Sequence, residues 1–302
     1  MAKRRSLLDL EHLSTDDMTG LLRLARRMQR GGPRPLLRRN RIALLFYESS
    51  TRTRVSFEFA AKALGATTSV ITATASSIEK GESLLDTGYT LRALGTDLIV
   101  MRHPSSGAPH VLARNLDIPV VNAGDGLHEH PSQGLLDAYT ILRHKKNLKG
   151  LRVAIVGDIF HSRVARSATQ LLTRFGAHVT LCGPPELCPE IASTLAKNSS
   201  VVRHLDPAIR GVDVVMMLRI QKERLAGMNL DIPAYVAAYQ LTADKLRIAK
   251  KDAIVMHPGP MLRGLEIAGE VADSSQSVIR EQVENGVAVR MAILAWCLGA
   301  AK

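Results

Sequence analysis

Short apolar runs alternate along the chain with longer segments in which apolar positions recur every three or four residues. Runs near 41–47, 68–73, 97–101 and 118–122 read as strands, and a second series follows near 151–156, 178–182, 201–205, 213–218 and 253–256. Helical periodicity fills the gaps. Phe57, Ala60, Ala61 and Leu64 line one face of a helix that stops at Gly65, and Val164, Ala168, Leu171, Leu172 and Phe175 line another. Alternation of this kind predicts parallel sheets covered by helices. An opening helix is marked by a capping box at Ser14 to Asp17 and stopped by Gly31, Gly32 and Pro33.

At 302 residues the chain exceeds the size of one usual core, and the strands suffice for two sheets. The expected fold is α/β with two domains, each a parallel sheet flanked by helices. The polar stretch "KKNLKG" before the buried-looking strand "LRVAIV" puts the boundary near 147. That gives domains 1–147 and 148–276, with a last helix in about 277–302 that packs back on the first.

Hydrophobic residues make up 46% of the chain and charged ones 23%, as in an ordinary globular protein, while aromatics at 4% leave the cores aliphatic. The formal charge of +12 is uneven: residues 1–41 hold eleven Lys and Arg against four acids. A stripe of Arg23, Arg26, Arg27 and Arg30 lies at helical spacing there. It fits either a solvated helix face or a nucleic-acid footprint; with no aromatic platform beside it, the solvated face is the better reading and no nucleic-acid partner is expected. Cys182, Cys188 and Cys297 form no CxxC pair and suit a reducing compartment. Acids at Asp9 and Glu11 interrupt any secretory or transit signal, and the longest apolar stretch, 291–301, is too short to span a membrane. A cytoplasmic protein without a membrane partner is expected.

The chemistry concentrates where strands end. "FYESSTRTRVSFE" (46–58) places Arg52 and Arg54 where a helix begins, although the positive end of a helix disfavours cations. Backbone N–H groups, the hydroxyls of Ser50, Thr51 and Thr53, and the Arg52 guanidinium would converge there on an anion such as phosphate. A plain Ser/Thr cap explains the hydroxyls equally well. "SSIEKGESLLDT" (76–87) sets Lys80 before a glycine and a helix. "VMRHPSSG" puts Arg102 and His103 at the carboxyl end of a strand, the edge at which open parallel sheets bind ligands.

In "GLHEHPSQGLLDAYT", Pro131 starts a helix, His130 stands just ahead and Gln133 lies in the first turn. Three roles fit His130: a neutral donor to a carbonyl oxygen, a structural cap, or, with His128, a metal ligand. No Cys or acid stands at ligand spacing, so no metal is expected. "VAIVGDIFHSRVARSATQLLTRFG" has a single turn glycine where a dinucleotide fingerprint needs three, and again an arginine, Arg163, at the helix start. "VVMMLRIQKERL" releases Arg219, Gln221, Lys222, Glu223 and Arg224 after a buried strand. In "IVMHPGPMLRGLEI", Pro258 and Pro260 fix the backbone so that its carbonyls can accept from a ligand N–H.

Together, over essentially all 302 residues, these stretches resemble the aspartate/ornithine carbamoyltransferase family, and within it the catalytic chains that use aspartate. "STRTR" (50–54) is similar to the family's carbamoyl-phosphate signature, "HPSQ" (130–133) to its HPxQ element and "LRIQKER" (218–224) to the aspartate-recognising loop. The resemblance implies transfer of a carbamoyl group from carbamoyl phosphate to L-aspartate in pyrimidine biosynthesis, without a cofactor, in a site between the domains. Domain 1–147 would bind carbamoyl phosphate and 148–276 aspartate. Ser50, Thr51, Arg52 and Thr53 would hold the phosphate, and Arg102, His130 and Gln133 the carbamoyl group. Arg163, Arg219 and Gln221 would take the aspartate carboxylates, and Pro258 and Gly259 would offer carbonyls.

Ser76 and Lys80 resemble residues that the family supplies from a neighbouring subunit, which implies a homotrimer with shared sites. Ser77 competes with Ser76 for that position, and Arg263 stands near the place of a family arginine, because "HPGPMLRG" replaces the family's HPLPR form. A regulatory or dihydroorotase-type partner would be a separate chain. The rival readings are an ornithine enzyme, whose HCLP segment is absent here, a nucleic-acid binder, and an inactive relative.

Overall fold

The computed structural model describes residues 5–32, 34–72, 81–221 and 230–301. Its strands are β1 (Arg41–Phe46), β2 (Thr67–Thr72), β3 (Leu98–His103), β4 (Val120–Asp125), β5 (Arg152–Val156), β6 (His178–Cys182), β7 (Ser199–Val202), β8 (Val214–Met217) and β9 (Ile254–Met256). The helices are α1 (Thr15–Gly31), α2 (Thr51–Ala63), α3 (Leu84–Ala93), α4 (Ala108–Asn115), α5 (Pro131–His144), α6 (Arg163–Arg174), α7 (Leu205–Ile209), α8 (Ile232–Tyr239), α9 (Ala243–Leu246), α10 (Gly269–Ala272) and α11 (Ile279–Cys297). Two compact units result. The first comprises residues 1–139 and 283–302, and the second 140–282, so the divisions fall inside α5 and inside α11.

Each unit is built on one parallel sheet, of four strands in the order β2-β1-β3-β4 and five in the order β7-β6-β5-β8-β9. Strands β3, β4, β5, β8 and β9 are buried over nearly their whole length; this is why β5, β8, β9 and the first four residues of β3 read as continuous apolar runs instead of alternating ones. Ala43, Leu45, Ile99, Met101, Leu112 and Val120 form a core in the first unit, and Ala154, Val156, Val215, Met217 and Val255 one in the second. Full burial of such side chains contributes about 1.5–3 kcal/mol each for the larger ones.

Ser14 caps α1 by accepting from the Asp17 N–H. The helix buries Met18, Leu21, Leu24, Ala25 and Met28, and leaves Arg23, Arg26, Arg27 and Arg30 exposed. The run expected at 201–205 divides differently from the prediction. Edge strand β7 ends at Val202, and Leu205 starts α7, where its side chain is buried. Its apolar character serves a helix, which a short apolar run does not disclose. None of the helices among the described residues is long and apolar enough to cross a membrane.

Candidate active site

In the first unit the chain runs from β1 to β2 on one side and returns to place β3 on the other side of β1. The carboxyl ends of β1 and β3 therefore flank the switch in strand order, where open α/β sheets bind ligands. Phe46 pairs in register with Arg102, which brings the loop after β1 and the end of β3 together. Ser50 is the N-cap residue of α2, yet its side chain makes no capping hydrogen bond, and the first turn holds no acid. By contrast α1 and α3 are capped by Ser14 and Ser83 and carry acids in their first turns. The first-turn N–H groups of α2 lack intrahelical acceptors, so this end of the helix is suited to an anion. Thr51 and Arg52 are exposed and Thr53 is buried.

The Arg102 guanidinium is held by Glu48, with Nε 3.3 Å from Oε2, and Nη1 reaches the Ala123 carbonyl at 3.4 Å. His130 is buried immediately before α5. Ser132 Oγ lies 3.3 Å from its Nδ1, and a hydroxyl proton donated there leaves the ring proton on Nε2. Gln133, also buried, donates from Nε2 to Asp137 Oδ1 at 2.8 Å.

The loop that carries His130 is anchored by Asp125, which is fully buried. Its Oδ2 accepts from the Gly107 N–H at 2.7 Å, and its Oδ1 from Asn122 Nδ2 at 2.8 Å and from the Glu129 N–H at 3.2 Å. His128 Nδ1 lies 3.1 Å from Oδ2. Burial pushes the Asp125 carboxyl up, but the hydrogen bonds from His128, Gly107 and Asn122 outweigh it and leave the group below the usual carboxylate range. The bond to Asp125 raises His128 against the opposing effect of burial. The depressed carboxyl contributes stability above its unfolded pKa and loses it as pH falls through the folded value; the raised imidazole contributes below its unfolded pKa and loses it as pH rises through its own folded value. The stability gap between wild type and Asp125→Asn should therefore be widest between about pH 4 and pH 6.5 and narrow on either side. Urea unfolding across that range checks this, and a gap independent of pH would refute the coupling.

The second unit repeats the topology. From β5 the chain proceeds to β6 and β7 on one side and then to β8 and β9 on the other. The carboxyl ends of β5 and β8 thus flank its switch point. Arg163, buried, is the first residue of α6, whose N-cap Ser162 accepts from the Ala165 N–H. Arg219 and Gln221 follow β8. The two loops are tied together: Gln221 Nε2 donates to the His161 carbonyl at 2.9 Å, and buried Asp158 accepts from both the His161 N–H and its Nδ1. Gly157, at φ 128°, allows this approach, since a Cβ there would sit 2.7 Å from the Leu218 carbonyl oxygen.

Beyond β9, the His257 ring shapes the segment containing Pro258 and Gly259. Its Nδ1 accepts from the Gly259 N–H at 2.9 Å, so the ring proton is on Nε2 and is donated to Glu266 at 3.1 Å. Glu266 also accepts from the Leu262 N–H, and the His257 and Glu266 side chains are fully buried. Glu266→Ala strands the buried His257 donor and frees the part-buried Leu262 N–H, and we expect it to lower unfolding stability by about 2 kcal/mol, read from the urea midpoint. Arg263 is engaged elsewhere, in a two-pronged ion pair with Asp273 (2.6 and 2.9 Å) that raises its pKa.

Ser50, Thr51, Arg52, Thr53, Arg102, His130 and Gln133 thus belong to the carboxyl edge of the first sheet, and Arg163, Arg219, Gln221, Pro258 and Gly259 to that of the second. Ser76, Ser77, Lys80, Lys222, Glu223 and Arg224 lie outside the described residues. Glu48, Asp125, Asp137, Asp158, His161 and Glu266 were not singled out in the sequence; an acid shortly after a strand's apolar run is the only local hint that Asp125 and Asp158 offer. Among the described residues no three His, Cys, Asp or Glu side chains converge as a metal site would require.

Residues 5–143 match the family model described as the aspartate/ornithine carbamoyltransferase carbamoyl-P binding domain, and residues 149–297 the corresponding Asp/Orn binding domain. A catalytic subunit of aspartate carbamoyltransferase from Koribacter versatilis is 62% identical over 292 residues, covering 97% of this chain and 96% of the relative. The crystal structure of aspartate transcarbamoylase from Trypanosoma cruzi in complex with N-(phosphonacetyl)-L-aspartic acid superposes with a TM-score of 0.88 at 34% identity, over 97% of this chain and 95% of that one. Ornithine carbamoyltransferase from Pyrococcus furiosus gives 0.84 at 28% identity, over 98% and 97%. Similarity of fold therefore extends to enzymes with different amino-acid substrates.

Proposed function

The chain belongs to the aspartate/ornithine carbamoyltransferase family, and from that premise we infer that it transfers the carbamoyl group of carbamoyl phosphate to the amino group of L-aspartate. The products are N-carbamoyl-L-aspartate and phosphate, in the service of pyrimidine synthesis. The observation that carries this reading is the 62% identity to an aspartate-using catalytic subunit along almost the whole of both chains. Two cationic residues with a glutamine on the second sheet's edge fit the two carboxylates of aspartate better than they fit ornithine, which has one carboxylate and a side-chain cation.

The neutral amine attacks the carbamoyl carbon and a C–N bond forms. The bond to the phosphate oxygen then breaks with its electron pair, and the proton of the attacking amine passes to the departing phosphate. Thr53, Arg102 and His130 polarise the carbonyl and stabilise its developing negative charge, at about 3–4 kcal/mol per well-placed donor. Ser50, Thr51, Arg52 and the N-terminus of α2 receive the departing phosphate. Gln133 and the carbonyls of Pro258 and Gly259 meet the carbamoyl N–H groups, and Arg163, Arg219 and Gln221 hold the aspartate. Fixing both anions supplies the proximity contribution. No covalent enzyme intermediate is needed.

An assay with carbamoyl phosphate and a panel of amino acids tests this: carbamoyl-aspartate should form and citrulline should not, and the reverse would assign the ornithine reaction. The protein works in the cytoplasm as a homotrimer in which Ser76 and Lys80 complete the site of a neighbouring subunit. If so, Lys80→Ala and Arg102→Ala subunits, each inactive alone, should regain activity when mixed, because some sites then contain neither substitution. Absence of rescue with proven subunit exchange would exclude shared sites.

A further inference from the structure

We propose that Asp137 is a positioning residue that locks the Gln133 side-chain amide with its carbonyl oxygen toward the ligand, and so selects a ligand bearing an NH2 group. This rests on the reading of Gln133 as a contact of the carbamoyl group.

Gln133 and Asp137 stand one turn apart on α5, and Gln133 Nε2 donates to Asp137 Oδ1 at 2.8 Å. Both are buried, Asp137 completely. A side-chain amide turned by half a circle keeps nearly the same shape and exchanges its donors for its acceptor. An ionised carboxylate only accepts, so it admits just one of the two orientations. With one Gln133 N–H held by Asp137, the nitrogen end of the amide is turned to the carboxylate and the acceptor oxygen is the end left to meet a ligand. Carbamoyl phosphate differs from acetyl phosphate chiefly in having NH2, with two donors, where the acetyl compound has CH3. An acceptor fixed in that position favours the first, whereas a freely turning amide would distinguish them less.

Positive charge in the same core favours a buried carboxylate, and α11 carries one whose electrostatic effect reaches Asp137. Arg290 is fully buried; burial lowers its pKa to about 10, the charge of Asp137 acts in the opposite direction, and the guanidinium stays ionised at neutral pH. It also lies over the Phe57 ring of α2, 5.1 Å from the centroid. One turn earlier Gly286 leaves the room it needs, because a Cβ there would collide with Arg290 Nη1. Gly286 and Phe57 thus seat the guanidinium, its charge favours the ionised form of Asp137, and the geometric constraint on Gln133 is its bond to Asp137.

The test is binding of carbamoyl phosphate and of acetyl phosphate to the full chain. Asp137→Asn alone removes a charge that favours the buried Arg290 cation and so confounds binding with stability, and the informative variant is the neutral pair Asp137→Asn with Arg290→Met. We expect wild type to prefer carbamoyl phosphate, and the pair to lose about tenfold in carbamoyl phosphate affinity, about 1.4 kcal/mol, with acetyl phosphate changed less than about twofold. A purely structural role would weaken both ligands alike, and that result, or a preference that survives in the double variant, overturns the proposal alone. Wild type binding both ligands equally overturns the reading of Gln133, and the proposal with it.

Discussion

Arg52→Ala should lower kcat by about 10³-fold while leaving the fold intact. Arg52 is exposed in the first turn of α2, where substitutions that disturb no core packing usually change stability by less than about 0.5 kcal/mol. The positive end of a helix disfavours a cation by a few tenths of a kcal/mol to about 1 kcal/mol, so removing the guanidinium relieves that repulsion while depriving the leaving phosphate of its principal charge. The two properties should separate: melting temperature unchanged or slightly raised, turnover nearly abolished. Steady-state kinetics and thermal melting on the same preparation measure both. Near-normal turnover would remove Arg52 from phosphate binding, and activity lost in proportion to fold would show a structural role.

Arg219→Ala should act on the other substrate. Truncating one partner of a hydrogen-bonded charge pair costs about 2–5 kcal/mol, so kcat/KM for aspartate should fall by at least about 30-fold, mostly through KM. Carbamoyl phosphate binding in the absence of aspartate should be unaffected, because Arg219 lies on the second sheet's edge and the phosphate residues on the first's. Its half-buried position beside Leu218 and Ile220 leaves the strand core untouched. Initial rates at varied aspartate, with calorimetric titration of carbamoyl phosphate, separate the two effects. Equal weakening of both ligands would contradict the division of labour.

Why were the arginines legible in the sequence when their supporting carboxylates were not? Arg52 and Arg163 occupy helix starts, where their charge conflicts with the local field, and Arg102 and Arg219 break the apolar pattern as a strand ends. Conflict with local preference is visible without coordinates. Asp137 conflicts with nothing nearby; its importance comes from Arg290, far along the chain, and from Gln133 turning toward it. Glu48 becomes significant only when register sets Phe46 opposite Arg102, and Glu266 only when the chain after β9 folds back on His257. The central strands were legible because they are buried over nearly their whole length. The edge strand β7 was displaced because its partly exposed residues carry no clear pattern, while neighbouring Leu205 belongs to a helix.

The first unit takes its last helical segment from beyond the second. During synthesis Asp137 leaves the ribosome about 150 residues before Arg290, a delay of roughly ten to thirty seconds at ordinary elongation rates. Until then the nascent half has a carboxylate without its cation and an uncovered aromatic ring at Phe57. A message cut short after the second unit would still encode every residue assigned to substrate contact, yet its product would be material for chaperones and proteases.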